Sequence, residues 1–231
     1  NRMADNLDAS FQDAYQKGLK LQESESRLLA AQINPHFIFN VLEAINMRCV
    51  DAGLKDISHM VTNLANLLRG NIGIGSGNQK ITLEQELGYV RYYLDLQRQR
   101  FGESLVYSIE QEDDELLQYL VPRLTIQPLV ENAIVHGLEP RRGLGSVTIR
   151  LWEEEHSICV RVEDDGVGFD VSKLDLSGEA AAAGDHNHIA LPNVIRRLHL
   201  LYGEQADLKI TSEPGRGTSV LLILPIDQTK G

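Results

Sequence analysis

A chain of 231 residues with 42% hydrophobic and 24% charged residues is long enough for one large domain or two small ones around a true core, and too mixed for collagen, low-complexity sequence or wholesale disorder. The 33 Asp and Glu against 22 Lys and Arg leave a formal charge of −11, which argues against a nucleic-acid partner bound by bulk electrostatics. An anionic nucleotide is still open, because a metal and a few local donors can offset its phosphates.

Cys49 and Cys159 lie far apart without CxxC spacing, which excludes a disulfide framework or a thiolate zinc site and fits a reducing compartment such as the cytoplasm. No run approaches the roughly 18 apolar residues of a membrane helix. The strongest, 220–224, is of strand length. The chain starts at Asn1 and opens in a helical pattern, so it is read as a piece of a longer protein, with any sensor or membrane segment upstream.

In chain order, residues 1–27 form a polar helical lead-in with Leu7, Ala14, Leu21 and Leu28 seven apart, a weak heptad open to reading as a solvated helix or a parallel coiled coil. Over 28–72 two amphipathic helices are predicted, one carrying Ile33, Phe37, Val41 and Ile45 and one carrying Ile57, Met60, Leu64 and Leu68, joined by a turn at Asp51-Ala52-Gly53. Such a hairpin cannot bury both stripes alone, and pairing two into a four-helix bundle solves that. GNIGIGSGN, at 70–78, lacks the Gly-Lys-Ser/Thr and preceding strand of a phosphate loop, so 73–80 is read as a hinge-like linker.

A helix over Leu83–Phe101 follows, with Thr82 as N-cap, Glu84 and Glu86 in its first turn, and Leu87, Val90, Tyr93, Leu94 and Gln97 along one side. Beyond Gly102 the pattern alternates between strand and helix. Strands are predicted around 105–109, 147–151, 158–164, 208–212 and 218–224, the last two a hairpin, and helices over 122–137 and 189–202, with a polar loop at 171–188. The order and its antiparallel bias predict an α+β protein, a helical hairpin followed by a two-layer α/β sandwich over 81–231.

Side chains alternate along a strand, so Asp164 continues the inward row of Ile158, Val160 and Val162. An inward carboxylate needs a partner. Gly166 and Gly168 follow it and allow close backbone approach, a pattern suited to an adenine amine. On the helix over 122–137, Pro128, Asn132 and His136 form a polar stripe beside Glu131; an amide oxygen suits Mg²⁺ and an imidazole can reach phosphate, although a solvated face would give the same pattern. His186 and His188 make an HxH without a third ligand nearby, which does not make a zinc site. Trp152 has no assigned role.

LVENAIVHG at 129–137, EDDGVG at 163–168 and EPGRGT at 213–218 resemble the N, first glycine and last glycine boxes of the histidine-kinase ATPase (Bergerat) fold shared with gyrase, Hsp90 and MutL. QINPHFIFN at 32–40 resembles the phosphoacceptor signature of LytS/YesM-type sensor histidine kinases, and 83–102 and 121–133 match further. NRMADNL resembles, more weakly, the closing helix of a HAMP relay module.

The resemblance implies a dimerising hairpin and the transmitter function of a two-component sensor kinase: ATP and Mg²⁺ bind the sandwich, His36 accepts the γ-phosphoryl group, and a response-regulator receiver aspartate receives it. The regulator would be of the AraC or LytTR type and the full-length protein membrane-anchored. A neutral imidazole is nucleophilic near pH 7. By the same carry-over Asn132 holds Mg²⁺, His136 sits by the phosphates, Asp164 reads adenine, Gly166 and Gly168 shape the adenine pocket, Gly215, Gly217 and Thr218 close the site, and Asn193 is the matching polar residue of the helix beginning near Ile189, whose backbone N–H groups can face phosphate. Glu131 is the candidate base. Asn40, one turn after His36, is a candidate for positioning the water that dephosphorylates a partner, or else stabilises its helix.

One departure is Ala190, where the family's second glycine box carries Gly. It motivates an alternative reading as a signal relay that binds nucleotide poorly. A second alternative, an ATPase clamp of the gyrase or MutL kind, is disfavoured by NPHF beside a dimerising hairpin.

Overall fold

The computed structural model describes residues 35–72, 80–141, 143–173 and 190–226. The predicted lead-in helix, the segment 28–34, the linker at 73–79 and the polar loop from 174 onward, with His186 and His188, lie outside the described residues. The chain divides into two compact units, Asn1–Ser76 and Gly77–Gly231.

In the first unit, α1 (Pro35–Asp51) and α2 (Lys55–Ile72) pack as a hairpin. α1 ends in a Schellman turn: Leu54 N–H reaches Cys49 O at 2.8 Å, Gly53 N–H reaches Val50 O at 3.0 Å, and Gly53 has φ +71°, a conformation glycine adopts without a Cβ penalty. Ser58 Oγ donates to Asn46 Oδ1 at 2.6 Å across the pair, and Arg69 lies over the Phe39 ring. Among the described residues of the hairpin Cys49 is buried, while Phe37, Val41, Ile45, Ile57, Met60 and Leu64 remain exposed.

In the second unit, β1 (Lys80–Thr82) leads into α3 (Leu83–Phe101) through a reciprocal cap: Thr82 Oγ1 accepts from Gln85 N–H at 3.2 Å and Gln85 Oε1 accepts from Thr82 N–H. Then follow β2 (Leu105–Gln111), β3 (Leu120–Pro122), α4 (Gln127–Asn132, continued by a π-helical turn over Ala133–Leu138), β4 (Gly145–Glu154), β5 (Ser157–Asp164), α5 (Ala190–Tyr202), β6 (Asp207–Glu213) and β7 (Gly217–Pro225). β1 and β3 form a small antiparallel ribbon. The main sheet runs β2-β4-β5-β7-β6, with β2 parallel to β4 and every other neighbour antiparallel.

One sheet face is buried. Val147, Ile149 and Leu151 of β4, Ile158, Val160 and Val162 of β5, and Val220, Leu222 and Leu224 of β7 meet Leu87, Val90 and Leu94 of α3, Leu129 and Ile134 of α4, and Val194 and Leu198 of α5 in one core. This is the expected α+β sandwich. It differs from the sequence reading at three places. The ribbon β1–β3 was not predicted; β2 pairs in parallel; and the helix expected from 122 starts at Gln127, because Pro122 ends β3 and Leu124 turns with φ +54°. Among the described residues no helix is long and apolar enough to cross a membrane.

Candidate functional site

Asp164 ends β5 on the inward row, paired in register with Val147 and Thr218. Its Oδ1 accepts from Gly166 N–H at 2.9 Å. Burial pushes the carboxyl up to about 6, against the opposing pull of the Gly166 and Thr218 backbone N–H groups. The neighbouring Gly137 is held so close that a Cβ there would lie 2.5 Å from Asp164 Oδ1. Val167 N–H donates to Gly137 O at 2.9 Å, tying the turn after β5 to α4.

That turn is also fastened to the β6–β7 turn. Gly215 N–H donates to Val167 O at 2.6 Å, and Ser212 Oγ accepts from Phe169 N–H and donates to Gly217 O, both at 2.9 Å. Gly168 sits at φ +58° with its missing Cβ position 2.0 Å from Glu213 O, so a side chain at this crossing meets backbone.

These contacts frame a cleft of about 230 Å³. Asn132, His136, Asp164 and Thr218 supply its polar atoms, while Leu129, Val162, Phe169, Leu191 and Val220 supply apolar walls. Asn132 and His136 come from α4 at its passage into the π-helical turn, a feature frequent at functional sites. An apolar cleft with one inward carboxylate and a few convergent polar groups suits a planar heterocycle carrying a hydrogen-bond donor.

Of the residues singled out in the sequence, Asn132, His136, Asp164, Gly168 and Thr218 line the cleft. Gly166 stands behind it against the Gly137 backbone, Gly217 packs on Asp164 O, and Gly215 lies in the adjoining turn. Glu131 is not among the lining residues. Its Oε1 accepts from Gln127 Nε2 at 2.7 Å, and after burial itself its charge is the next cause that pushes Tyr93 of α3 up to about 12, so it faces the α3 side. Asn193 is exposed on the first turn of α5, where Leu191 reaches the cleft instead. Ala190 opens that helix in helical conformation, so the backbone there asks for no left-handed residue. In the other unit, His36 is exposed in the first turn of α1, with Asn40 Nδ2 3.2 Å from its Nδ1.

Sequence reasoning missed Phe169, whose apolar character carries no motif, the wall that Leu191 of the second glycine box gives the cleft, and Ser212, visible only once β6 and β7 are paired. Among the described residues no group of three or more His, Cys, Asp and Glu could cage a metal. The neutral amide of Asn132 on the rim of the cleft fits Mg²⁺, which keeps several waters and takes few protein ligands besides phosphates.

The segment that builds this cleft is matched by a family model described as "Histidine kinase-, DNA gyrase B-, and HSP90-like ATPase", over residues 120–228. A second model, "Histidine kinase", matches residues 24–105. The chain is 36% identical over 223 residues to the sensor histidine kinase YesM of Bacillus subtilis, covering 96% of this chain and 37% of that protein. It is 35% identical over 209 residues to the sensor histidine kinase YpdA of Escherichia coli (90% and 35%) and 35% identical over 214 residues to the sensor protein LytS of Oceanobacillus iheyensis (91% and 36%). Among solved structures, the histidine kinase domain of a blue-light activated kinase from Erythrobacter litoralis is similar with TM-score 0.48 and 20% identity, covering 85% of this chain and 88% of that one. The chain belongs to the histidine kinase family. It spans little more than a third of the length of the curated relatives it matches.

Proposed function

We propose that this chain is the cytoplasmic transmitter region of a two-component sensor histidine kinase: ATP bound in the cleft phosphorylates His36, and the phosphoryl group then passes to a receiver-domain aspartate of a response regulator. The observation that carries the reading is the Asp164 carboxylate, aimed into an apolar cleft that also gathers Asn132 and His136. Asp164 accepts the adenine amine, and Leu129, Val162 and Phe169 exclude water from the ring. His136 and Thr218 bind toward the phosphates, and Asn132 Oδ1 holds Mg²⁺. When bound, the metal neutralises phosphate charge.

The Nε2 lone pair of His36 attacks the γ-phosphorus, the bond to the β–γ bridging oxygen breaks, and ADP leaves with the electron pair. Asn40 holds Nδ1. Glu131, the candidate base, faces α3 rather than lining the cleft. In the second transfer the N–P bond breaks as a receiver carboxylate oxygen attacks, and Asn40 is placed to align a water for the reverse, dephosphorylating reaction. Residues 28–72 act as the dimerising phosphotransfer hairpin, 1–27 as the signalling lead-in, 73–80 as linker and 81–231 as the catalytic domain. The regulator is of the AraC or LytTR type, and a segment upstream anchors the whole protein in the membrane.

The test is transfer. Chain phosphorylated with γ-labelled ATP and mixed with a receiver domain loses label to the receiver, and a receiver whose acceptor Asp is replaced by Asn takes none. Retention of label on the chain with every receiver of the two regulator types sinks the relay step.

A further inference from the structure

α3 carries a carboxylate that the nucleotide chemistry does not use. Glu86 is fully buried, and its oxygens accept four backbone N–H groups: Leu124 at 3.1 Å on Oε2, and Thr125 at 2.8 Å, Ile126 at 3.0 Å and Gln127 at 3.4 Å on Oε1. Ile126 and Gln127 stand at the start of α4, where helix N–H groups lack intrahelical partners, and Leu124 and Thr125 belong to the turn that leads into it. A helix is ordinarily capped by the residue that enters it. Ile126 at that position offers no side-chain cap, so the cap of α4 comes from another helix, about forty residues earlier in the chain.

The capped turn is strained and gripped from its other side. Leu124 is held at φ +54°, where a side chain is disfavoured. Arg197 of α5 donates to Leu124 O and, at 3.3 Å, to Thr125 Oγ1, which itself donates to Pro122 O at 2.6 Å. Burial raises the Glu86 carboxyl while the four N–H groups pull it down, and burial lowers the Arg197 guanidinium while the Glu86 charge opposes that. Both groups are thus bound to this one turn at a desolvation cost.

We propose that Glu86 is a positioning residue for the ATP site: by fixing the start of α4 on α3, it sets where Asn132 and His136 stand in the cleft, so nucleotide affinity depends on the placement of α3. Generic stabilisation would be met as well by apolar packing, which α3 already supplies through Leu83, Leu87, Val90 and Leu94. A four-acceptor grip on one strained turn instead fixes direction and register. The inference rests on reading the cleft as the ATP site.

The experiment compares the whole chain with Glu86→Gln, Glu86→Asp and, as a stability control from the same helix, Leu87→Ala. Affinity for a non-hydrolysable ATP analogue with Mg²⁺, melting temperature, and autophosphorylation at limiting and saturating ATP are measured. Glu86→Gln turns one acceptor into a donor against the N–H groups, and Glu86→Asp keeps the charge but shortens the reach by one methylene. Both are expected to bind nucleotide about tenfold more weakly, the scale of one lost charge-assisted hydrogen bond, with the rate largely recovered at saturation. Leu87→Ala is expected to lower the melting temperature and keep its affinity.

Affinities of folded Glu86 variants within twofold of the unsubstituted chain overturn the inference. So does an equal loss in Leu87→Ala, which would make the effect one of stability alone. Where Glu86→Gln does not fold, Glu86→Asp decides. An unsubstituted chain that binds no ATP overturns the reading of the cleft itself and this inference with it, an outcome separable from the others by that one titration.

Discussion

Asn40 Nδ2 stands 3.2 Å from Nδ1 of His36, one helical turn away on the same exposed face of α1. Half a rotation of the amide presents Oδ1 to an Nδ1–H, the tautomer that leaves the Nε2 lone pair for attack. As it stands the amide can donate to an Nδ1 lone pair, so it pairs with either tautomer, whereas a carboxylate at position 40 accepts only from Nδ1–H and, through a hydrogen bond worth about 1 kcal/mol, favours the tautomer with a free Nε2 roughly fivefold. Asn40→Asp is therefore expected to shift the imidazole toward the Nδ1–H tautomer in ¹⁵N spectra, and Asn40→Ala to slow autophosphorylation several-fold by freeing the ring. An unaltered tautomer ratio in Asn40→Asp, with an unaltered rate in Asn40→Ala, would show that the contact does not orient the ring.

Asp164 links function to stability with a definite sign. Its carboxyl is raised from 3.8 to about 6, so the folded state holds its proton more tightly than the unfolded chain does. The contribution to stability is complete below about pH 3.8 and is lost as pH rises through 6. Asp164→Asn removes that loss. Near pH 7 and without nucleotide the variant is expected to be more stable than the parent, by on the order of 2 to 3 kcal/mol, and the difference should vanish near pH 4. Nucleotide affinity moves the other way, falling roughly tenfold to a hundredfold as the adenine amine loses its acceptor. Denaturant melts at the two pH values and a nucleotide titration check both signs.

Gly137 leaves no room for a methyl group, since its Cβ would lie 2.5 Å from Asp164 Oδ1 and 2.8 Å from Cγ. Gly137→Ala should push the carboxylate out of the cleft, at a cost of about 1 to 3 kcal/mol in stability and with most ATP binding gone. Retained affinity in this variant would mean that Asp164 does not read the nucleotide.

The α1–α2 hairpin leaves Val41, Ile45, Ile57, Met60 and Leu64 exposed, and a second hairpin is the partner that would cover such a stripe. The chain is expected to sediment as a dimer at micromolar concentration. Met60→Glu with Leu64→Glu should yield monomers while ATP affinity is unchanged, because the cleft lies within the other unit.

Much of this was legible in the sequence because the signals were local. Alternation placed β4, β5 and β7 and turned Asp164 inward, and Thr82 and Gly53 announced a helix start and a helix stop. What escaped notice depends on distant pairing. Three-residue strands such as β1 and β3 carry no period, and their ribbon exists only because Lys80 meets Pro122. Glu86 was read as a first-turn complement to its own helix dipole, whereas it is buried and caps α4, because nothing local to α3 reveals that a strained turn at Leu124 will be packed against it. The same holds for Phe169 and Leu191, apolar residues that become cleft walls only when the turn after β5 and the first turn of α5 converge.

The most direct test of the account is incubation of the chain with γ-labelled ATP and Mg²⁺ beside His36→Gln. The expected result is a label on the unsubstituted chain that is lost in acid, kept in alkali, and absent from His36→Gln. Label that survives acid, or that persists in His36→Gln, would contradict the account by placing the phosphoryl group on some other residue.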